Sequence, residues 1–351
     1  MHIGFTAPLK PVDHPVPSGD RAMARAVLSA LRSFATVEVA STLRTWDGHG
    51  NPTLQGTLRA QAAAEVARLA SAPYDAWVTY HNYYKAPDLV GPTVARTGAI
   101  PYYVVEASRA PARRTGPWAD FATAADAATD AADAVFFMTD RDLPALLSAR
   151  PTGQRLVRLR PFLDRADLPQ AKSPGQGLLA VGMLRPGDKT ESYRALAAAL
   201  PYVSEDWTLR IIGDGPAAPE VRKLFDPFGD RVALLGAKTS QQVLGEMRAA
   251  RALAWPGVNE AFGMVYLEAQ SVGLRPVAED RPGVRDVLAA DALRSPPGNA
   301  RAYAAALSQA LTTAEPIDPL RAHIRAYHLR TQAAETLAQR IAGPTIRTAK
   351  S

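Results

Sequence analysis

Two carboxylates, Glu260 and Glu268, stand with seven residues between them in this chain. An eight-residue step is a little over two helical turns, so both side chains would lie near one edge of a helix that begins about Phe262. The backbone N–H groups at the start of that helix, at Phe262, Gly263 and Met264, are unpaired and form the positive end of its dipole. Anions bind at such ends, and a glycine lets a ligand approach the backbone closely. The spacing therefore predicts an anion site with one carboxylate at its mouth and another two turns along the helix.

The residues before this helix predict how it is held. A strand-like run, Ala250 to Trp255, is closed by Pro256-Gly257, which gives the order strand, turn and helix. In open α/β sheets, ligands collect beyond the carboxyl ends of the strands. The pair of glutamates taken alone is also compatible with an amphipathic helix that exposes both to solvent, because such spacing is common on helices.

The sequence around the pair distinguishes these interpretations. Glu260 to Glu268, followed by Ala269-Gln270-Ser271-Val272-Gly273, resembles the paired-glutamate motif of the retaining, nucleotide-sugar-dependent glycosyltransferases of family 4. The resemblance implies an α/β chain of GT-B fold, with two doubly wound Rossmann-like domains and an interdomain cleft. It also implies transfer of a hexose from a nucleotide-sugar donor with retention of configuration. In this interpretation Glu268 binds the donor ribose, Glu260 lies by the transferred sugar, and the Phe262, Gly263 and Met264 amides face sugar and diphosphate.

The same resemblance assigns the residues that stabilise the departing diphosphate. The family uses an arginine and a lysine from the first loop of the C-terminal domain, so no metal and no cofactor beyond the donor is expected. Family members usually carry arginine directly after the glycine of this loop, where this chain has Met183. We therefore assign the arginine role to Arg185 and the lysine role to Lys189. The alternative is a solvated Pro-Gly turn with ordinary surface charges.

Two further loops and one acidic motif bear on the donor site. Gly213 and Gly236 each follow a strand-like run and match family positions at which the backbone contacts the nucleotide base. Asp140-Arg141-Asp142 has the letters of a metal-binding Asp-x-Asp clamp. Because it follows Thr139 at an expected helix start, we interpret its aspartates as helix caps and not as metal ligands.

The first half of the chain carries the candidate acceptor residues. Gly19 and Asp20 stand where the family has a glycine-rich loop under the diphosphate and acceptor. His81 and Glu106 each follow a predicted strand, so they converge with that loop at one sheet edge. Many relatives have a histidine where this chain has Glu106. We expect Glu106 or His81 to replace that contact to the sugar.

The predicted elements give a domain division. Residues 1–168 form the N-terminal, acceptor-side domain and residues 169–176 a linker. Residues 177–319 form the nucleotide-sugar-binding domain, and 320–351 a C-terminal helix that packs back on the first domain. Alternating strand-like and helical segments over 351 residues agree with two such domains.

Composition narrows the chemistry and the partners. Cysteine is absent, which excludes thiolate catalysis and cysteine-bound metals. The N-terminus lacks the pattern of a signal peptide and no apolar run approaches about 20 residues, so a cytoplasmic protein is expected. The net charge of +6 favours an anionic acceptor, or one at the inner face of a membrane. The sequence has no basic run interleaved with aromatic residues, so a nucleic acid partner is not expected. The expected partners are a nucleotide sugar and a glycan, lipid-linked or small-molecule acceptor, as in polysaccharide biosynthesis.

Two other functions are considered. A non-catalytic nucleotide-sugar-binding or partner protein on the same fold is favoured by Met183 and Glu106, which depart from the family pattern. A nicotinamide-dependent oxidoreductase is disfavoured, because no strand is followed by the G-x-G-x-x-G fingerprint with an acidic residue about twenty positions on.

Overall fold

The computed structural model describes residues 1–16, 18–172, 175–313 and 317–343. The chain forms two compact units. The first contains Met1–Asp164 and the chain from Arg330 onward, and the second contains Arg165–Leu329. Part of the predicted linker (residues 173 and 174) and part of the predicted C-terminal segment (344–351) lie outside the described residues.

The first unit is built on a six-stranded, all-parallel sheet with the order β2-β1-β3-β4-β5-β6. Its strands are β1 (His2–Thr6), β2 (Thr36–Ser41), β3 (Ala76–Asn82), β4 (Tyr102–Ala107), β5 (Ala134–Phe137) and β6 (Arg155–Arg158). Nearly every residue of β3 and β4 is buried. Such continuous apolar runs are expected where helices cover both faces of a parallel sheet.

The helices of the first unit are α1 (Gly19–Arg32), α2 (Pro52–Leu69), α3 (Gly91–Gly98), α4 (Ala119–Ala131) and α5 (Leu143–Ser148). Helix α2 begins at Pro52 because the residues around it favour a helix start. Asn51 Oδ1 accepts hydrogen bonds from the N–H groups of Thr53 and Leu54 at 3.0 and 3.2 Å, and Pro52 fits the first helical position.

The second unit repeats the architecture, with a parallel sheet in the order β12-β11-β10-β7-β8-β9. Its strands are β7 (Leu178–Val181), β8 (Leu209–Ile212), β9 (Val232–Leu234), β10 (Ala252–Ala254), β11 (Arg275–Glu279) and β12 (Leu293–Ser295). Its helices are α6 (Asp188–Ala199), α7 (Ala218–Phe225), α8 (Ser240–Ala249), α9 (Met264–Val272), α10 (Ala300–Thr312) and α11 (Asp318–Tyr327).

The C-terminal segment differs from the single helix that the sequence predicts within 320–351. It forms α11, which packs against α9 in the second unit, and α12 (Arg330–Ile341), which packs against α1 in the first. His328 ends α11 with a non-helical backbone and a fully buried ring, and this interrupts the helix. Only the part from Arg330 onward therefore belongs with the first unit.

Arg330 fixes the start of α12 within the first unit. Its Nη1 donates hydrogen bonds to Ser29 Oγ at 3.1 Å and to Asp164 Oδ1 at 2.9 Å.

Within the described ranges, each helix is too short or too polar to cross a bilayer.

Candidate active site

In the second unit, the loops after β7, β8 and β9 lie against one another at the carboxyl edge of the sheet. Gly213 N–H donates to the carbonyl of Gly236 at 3.0 Å. A Cβ at Gly213 would stand 1.9 Å from the carbonyl oxygen of Gly182, so only glycine fits there. The structure thus brings Gly213 and Gly236 together, beside the loop that leads to Arg185 and Lys189.

Glu260 makes polar contacts with side chains from separate parts of the sequence. Trp255 Nε1 donates to Glu260 Oε1 at 2.9 Å, and Lys189 Nζ forms an ion pair with the same oxygen. The Lys189 ammonium also stands 5.4 Å from the centre of the Trp255 ring. Glu260 Oε2 has no hydrogen bond within the described part of the chain. The glutamate is therefore held through one oxygen, and its other oxygen is left to accept a hydrogen bond.

Sequence reasoning missed Trp255, which follows β10 directly and is fully buried. Tyr266 Oη donates to its carbonyl at 2.8 Å, and the Tyr193 ring meets its indole edge-on at 5.0 Å. The available signal was a tryptophan at the carboxyl end of a buried strand, where an indole N–H needs an acceptor.

The helix that follows Glu260 begins later than predicted. It begins at Met264 and not at Phe262, because Gly263 takes a left-handed conformation (φ 76°) as its N-cap. No side chain caps this end, and the N–H groups of Phe262, Gly263 and Met264 make no hydrogen bond to any described residue. The three amides are thus available to an anion, while the Phe262 side chain is buried.

Glu268 lies on α9, half-buried and without a hydrogen bond to its carboxylate within the described ranges. Burial raises its pKa to about 7, and Arg165 opposes this only in part. A partly buried carboxylate that accepts no hydrogen bond is stabilised when hydroxyl groups donate to it. The arrangement suits a vicinal diol, the group that a ribose offers.

Arg185 lies in the loop between β7 and α6. Its carbonyl accepts hydrogen bonds from Thr190 N and Thr190 Oγ1 at 3.2 and 2.7 Å, which ties the loop to the first turn of α6. Lys189 stands in that same turn. The two predicted cations therefore come from one loop and the helix that it opens.

In the first unit, the predicted acceptor residues Asp20, His81 and Glu106 form a cluster. His81 Nδ1 lies 3.4 Å from Asp20 Oδ1 and 3.9 Å from Glu106 Oε2. Gly19, the first residue of α1, is exposed next to Asp20. Tyr80 is buried beside Glu106, and burial together with the charge of Glu106 raises the pKa of the Tyr80 hydroxyl. The site residues predicted from the sequence do not include it.

The backbone at this cluster is strained in the same way on two neighbouring strands. His81 has φ 62° and Glu106 has φ 61°, and both lie between aligned residue pairs of β3 and β4. Each such conformation costs on the order of 1–3 kcal/mol. Asn82 holds the bend, because its Nδ2 donates to Ala125 O at 2.8 Å and its carbonyl accepts from Ser108 N at 3.1 Å.

The ionisation of the cluster follows from its burial and its opposed charges. Burial lowers the pKa of His81, but Glu106 and Asp20 outweigh it and raise the pKa to about 9. Burial raises the pKa of Glu106, and His81 only partly reverses this. For Asp20, burial raises the pKa but the contact with His81 dominates, and the net effect is to lower it. At neutral pH the site therefore holds an imidazolium, whose Nε2 makes no hydrogen bond within the described chain.

The aspartates of the Asp-x-Asp motif contact neighbouring loops and do not form the cap hydrogen bonds that the sequence predicts. Asp142 stands at the N-cap of α5 without a cap hydrogen bond. Its carboxylate instead accepts from Ser108 Oγ at 2.9 Å and Thr139 Oγ1 at 2.7 Å. Asp140 forms an ion pair with Arg158. The carboxylates serve to tie neighbouring loops together.

Comparison with known proteins agrees with this geometry. Residues 175–313 match the family model described as glycosyl transferases group 1. The resemblance to glycosyl transferases group 1 is confirmed. The solved structure of Anabaena Alr3699/HepE in complex with UDP and glucose matches with a TM-score of 0.72 at 16% identity, over 97% of this chain and 99% of that chain. The predicted α/β GT-B fold is confirmed as well.

Curated relatives match over shorter stretches. Exopolysaccharide phosphotransferase SCO2592 of Streptomyces coelicolor is 31% identical over 187 residues, which are 51% of this chain and 20% of that protein. D-inositol 3-phosphate glycosyltransferase of Mycolicibacterium smegmatis is 31% identical over 147 residues, or 41% of this chain and 29% of that protein. The chain thus spans less than a third of the length of either relative.

Proposed function

We propose that this protein is a glycosyltransferase that moves a hexose from a nucleotide-sugar donor to an acceptor. The observation that carries the proposal is the polar site of the second unit. There Glu260 is held by Lys189 and Trp255, and the amides at the start of α9 and the carboxylate of Glu268 form no hydrogen bond with the described residues. This site falls within the family match, and the structural neighbour Alr3699/HepE binds UDP and glucose.

Each group has a role in this proposal. Glu268 accepts hydrogen bonds from the ribose hydroxyls, and Gly213 and Gly236 bring backbone close to the base. Glu260 Oε2 accepts from a hydroxyl of the transferred sugar. The α9 amides, Lys189 and Arg185 stabilise the charge that develops on the departing diphosphate. Because these cations and amides supply that stabilisation, we propose that transfer requires no bound metal.

The proposed transfer retains the anomeric configuration. The bond between the anomeric carbon and the diphosphate oxygen breaks while the acceptor oxygen forms the new bond on the same face. The acceptor proton passes to the leaving phosphate oxygen, so no separate base is required. The protein then acts by positioning and by stabilising charge. Asp20, His81 and Glu106 of the first unit are the proposed acceptor-side residues.

A donor-binding experiment tests the proposal. Thermal shifts are measured with a panel of nucleoside diphosphates and nucleotide sugars, starting with UDP and UDP-glucose, and hydrolysis of the donor is followed with and without EDTA. We expect one nucleotide to stabilise the protein, and Glu268→Gln to weaken its binding roughly ten-fold, because a charge-assisted hydrogen bond is lost. Glu205→Gln is the matched control, since its carboxylate contacts only Ser204 within the described chain.

The results of this experiment distinguish a transferase from a non-catalytic binding protein. If Glu268→Gln binds the nucleotide as tightly as the wild type, the ribose assignment is wrong. Loss of hydrolysis with EDTA would contradict the metal-independent mechanism. Binding without any hydrolysis or transfer would favour the alternative of a non-catalytic nucleotide-sugar-binding protein. Met183, where relatives carry arginine, is the observation that supports this alternative.

A further inference from the structure

Basic and aromatic side chains meet on the first unit, apart from the residues discussed so far. The Arg113 guanidinium lies 5.4 Å from the centre of the Tyr84 ring and 5.3 Å from that of Trp118. The Lys85 ammonium lies 5.7 and 5.4 Å from the same two rings. Arg44 stands 4.6 Å from the centre of the Trp46 ring, which is 36% exposed. We call Arg44, Trp46, Tyr84, Lys85, Arg113 and Trp118 the aromatic-basic surface.

Hydrogen bonds join the three loops that carry this surface. Asp47 N–H donates to Lys85 O at 2.8 Å, and Trp118 Nε1 donates to Asp47 O at 3.2 Å. Thr45 Oγ1 donates to Pro87 O at 2.7 Å. The loops after β2, β3 and β4 are therefore held together, so the surface is preorganised for a ligand.

The charges of this surface lack acidic partners, unlike those around it. Neighbouring Arg114 pairs with Asp126 at 2.8 Å, and Arg59 pairs with Asp120 at 2.7 Å. In the described chain, Arg44, Lys85 and Arg113 have no ion pair. Contact with an aromatic ring attracts a cation weakly at an exposed site and does not neutralise its charge. Anions are therefore attracted to this surface.

Ring contacts connect the surface to the predicted acceptor residues. The His81 and Tyr83 ring centres are 4.9 Å apart, and those of Tyr83 and Tyr84 are 5.4 Å apart. We propose that the aromatic-basic surface binds an acidic saccharide, that is, a sugar carrying a carboxylate or a phosphate. Lys85 and Arg113 bind the anionic group, and the exposed ring of Trp46 packs against the sugar. That this saccharide is the acceptor rests on the proposed function; its binding does not.

Binding by the full chain tests the inference with three probes: glucuronic acid, glucose 6-phosphate and methyl glucoside, each followed by saturation-transfer NMR. We expect both acidic probes to bind roughly ten-fold more tightly than the neutral one, since each gains charge-assisted hydrogen bonds. The double variant Lys85→Gln/Arg113→Gln should lose this preference. Arg114→Gln, which removes a paired charge at the next position, should keep it.

Equal binding of the acidic and neutral probes, or an equal loss in Arg114→Gln, would overturn the inference. A preference for only one of the two acidic probes would support it and identify the anionic group as carboxylate or phosphate. Phosphatidylglycerol vesicles form a further arm. Vesicle binding that is lost in the double variant, without any preference among the sugars, would identify a lipid surface instead and contradict the inference.

The test is separable from that of the proposed function. The nucleotide thermal shift depends on residues of the second unit and should be unchanged in Lys85→Gln/Arg113→Gln. If acidic sugars bind but no nucleotide does, the transferase proposal fails and the saccharide site stands. If a nucleotide binds but no acidic sugar does, the saccharide site is wrong and the transferase proposal stands.

Discussion

At the scale of single residues, the second unit contrasts two glutamates of one motif. Glu260 is ion-paired and hydrogen-bonded through one oxygen. Glu268 has no such partner in the described chain, and burial raises its pKa to about 7. The same type of side chain thus stands in two environments: Glu260 is oriented by fixed contacts, and Glu268 is left to accept hydrogen bonds from a ligand in the proposed function.

The raised pKa of Glu268 predicts a pH dependence of donor binding. Ribose hydroxyls donate to the ionised carboxylate, which predominates only above about pH 7. We expect donor affinity to be full above that pH and to fall as the pH drops through 7, which isothermal titration at several pH values would measure. The empty protein should respond in the opposite direction. Without a donor, Glu268 lowers the free energy of unfolding as the pH rises from 4.5 to about 7, because its carboxylate ionises less readily in the folded than in the unfolded state.

The Glu268→Gln variant provides the control for this dependence. It lacks the titrating carboxylate, so its weaker donor affinity should not show the change between pH 6 and about 8 that ionisation of Glu268 causes in the wild type. An equally steep fall in wild type and variant would show that another group is responsible.

At the scale of elements, the start of α9 depends on a backbone conformation that few residues adopt. Gly263 has φ 76°, and a Cβ there would lie 2.6 Å from the Tyr266 ring. That ring is fixed, because its hydroxyl donates to Trp255 O. The glycine therefore couples the placement of the α9 amides to the tryptophan that holds Glu260.

A Gly263→Ala variant tests this coupling. We expect it to lower the free energy of unfolding by about 1–3 kcal/mol, since alanine is strained at positive φ and meets the Tyr266 ring. Gly245→Ala in α8 is the matched control: a Cβ there meets no atom within 4 Å, so alanine should be neutral or stabilising by up to about 1 kcal/mol. Urea denaturation measures both, and equal effects would contradict the assignment of strain to Gly263.

The elements also show what the sequence could and could not predict. The places of His81 and Glu106 near the ends of β3 and β4, and the order of glycine loops before Glu260, follow from local patterns and the family motif. The positive φ angles at His81 and Glu106 do not, because they depend on contacts of Asn82 with residues far along the chain. The Trp255–Glu260 hydrogen bond was also missed, since an indole gives no sequence signal of its partner.

At the scale of the whole molecule, the two units differ in how the chain builds them. The second unit is one continuous segment, Arg165–Leu329, whereas the first is completed by the chain from Arg330 onward. The buried face of α12 consists of Ala333, Leu337 and Ile341. Folding of the first unit therefore includes contacts between α1 and α12, which are far apart in the sequence.

The variant Leu337→Ala tests this description. Loss of a fully buried leucine should destabilise the first unit by about 2–5 kcal/mol, whereas Gln339→Ala on the exposed face of α12 should change stability by less than about 0.5 kcal/mol. Nucleotide binding by the second unit should be unchanged in both folded variants. Urea denaturation and nucleotide titration measure the two effects. Equal stability of the two variants would show that α12 contributes little to the first unit.

The matched bends at His81 and Glu106 have a consequence for how this protein diverges. A left-handed backbone accepts histidine, asparagine, aspartate or glycine more readily than β-branched residues. Two adjoining strands thus offer equivalent backbone positions, and a histidine lost from one can reappear on the other without rebuilding the sheet. The exchange leaves the imidazole at the same edge of the sheet in the first unit, since the two positions are neighbours on adjacent strands. Side-chain replacements at these two positions therefore alter the charges at this sheet edge without a change in the backbone that carries them.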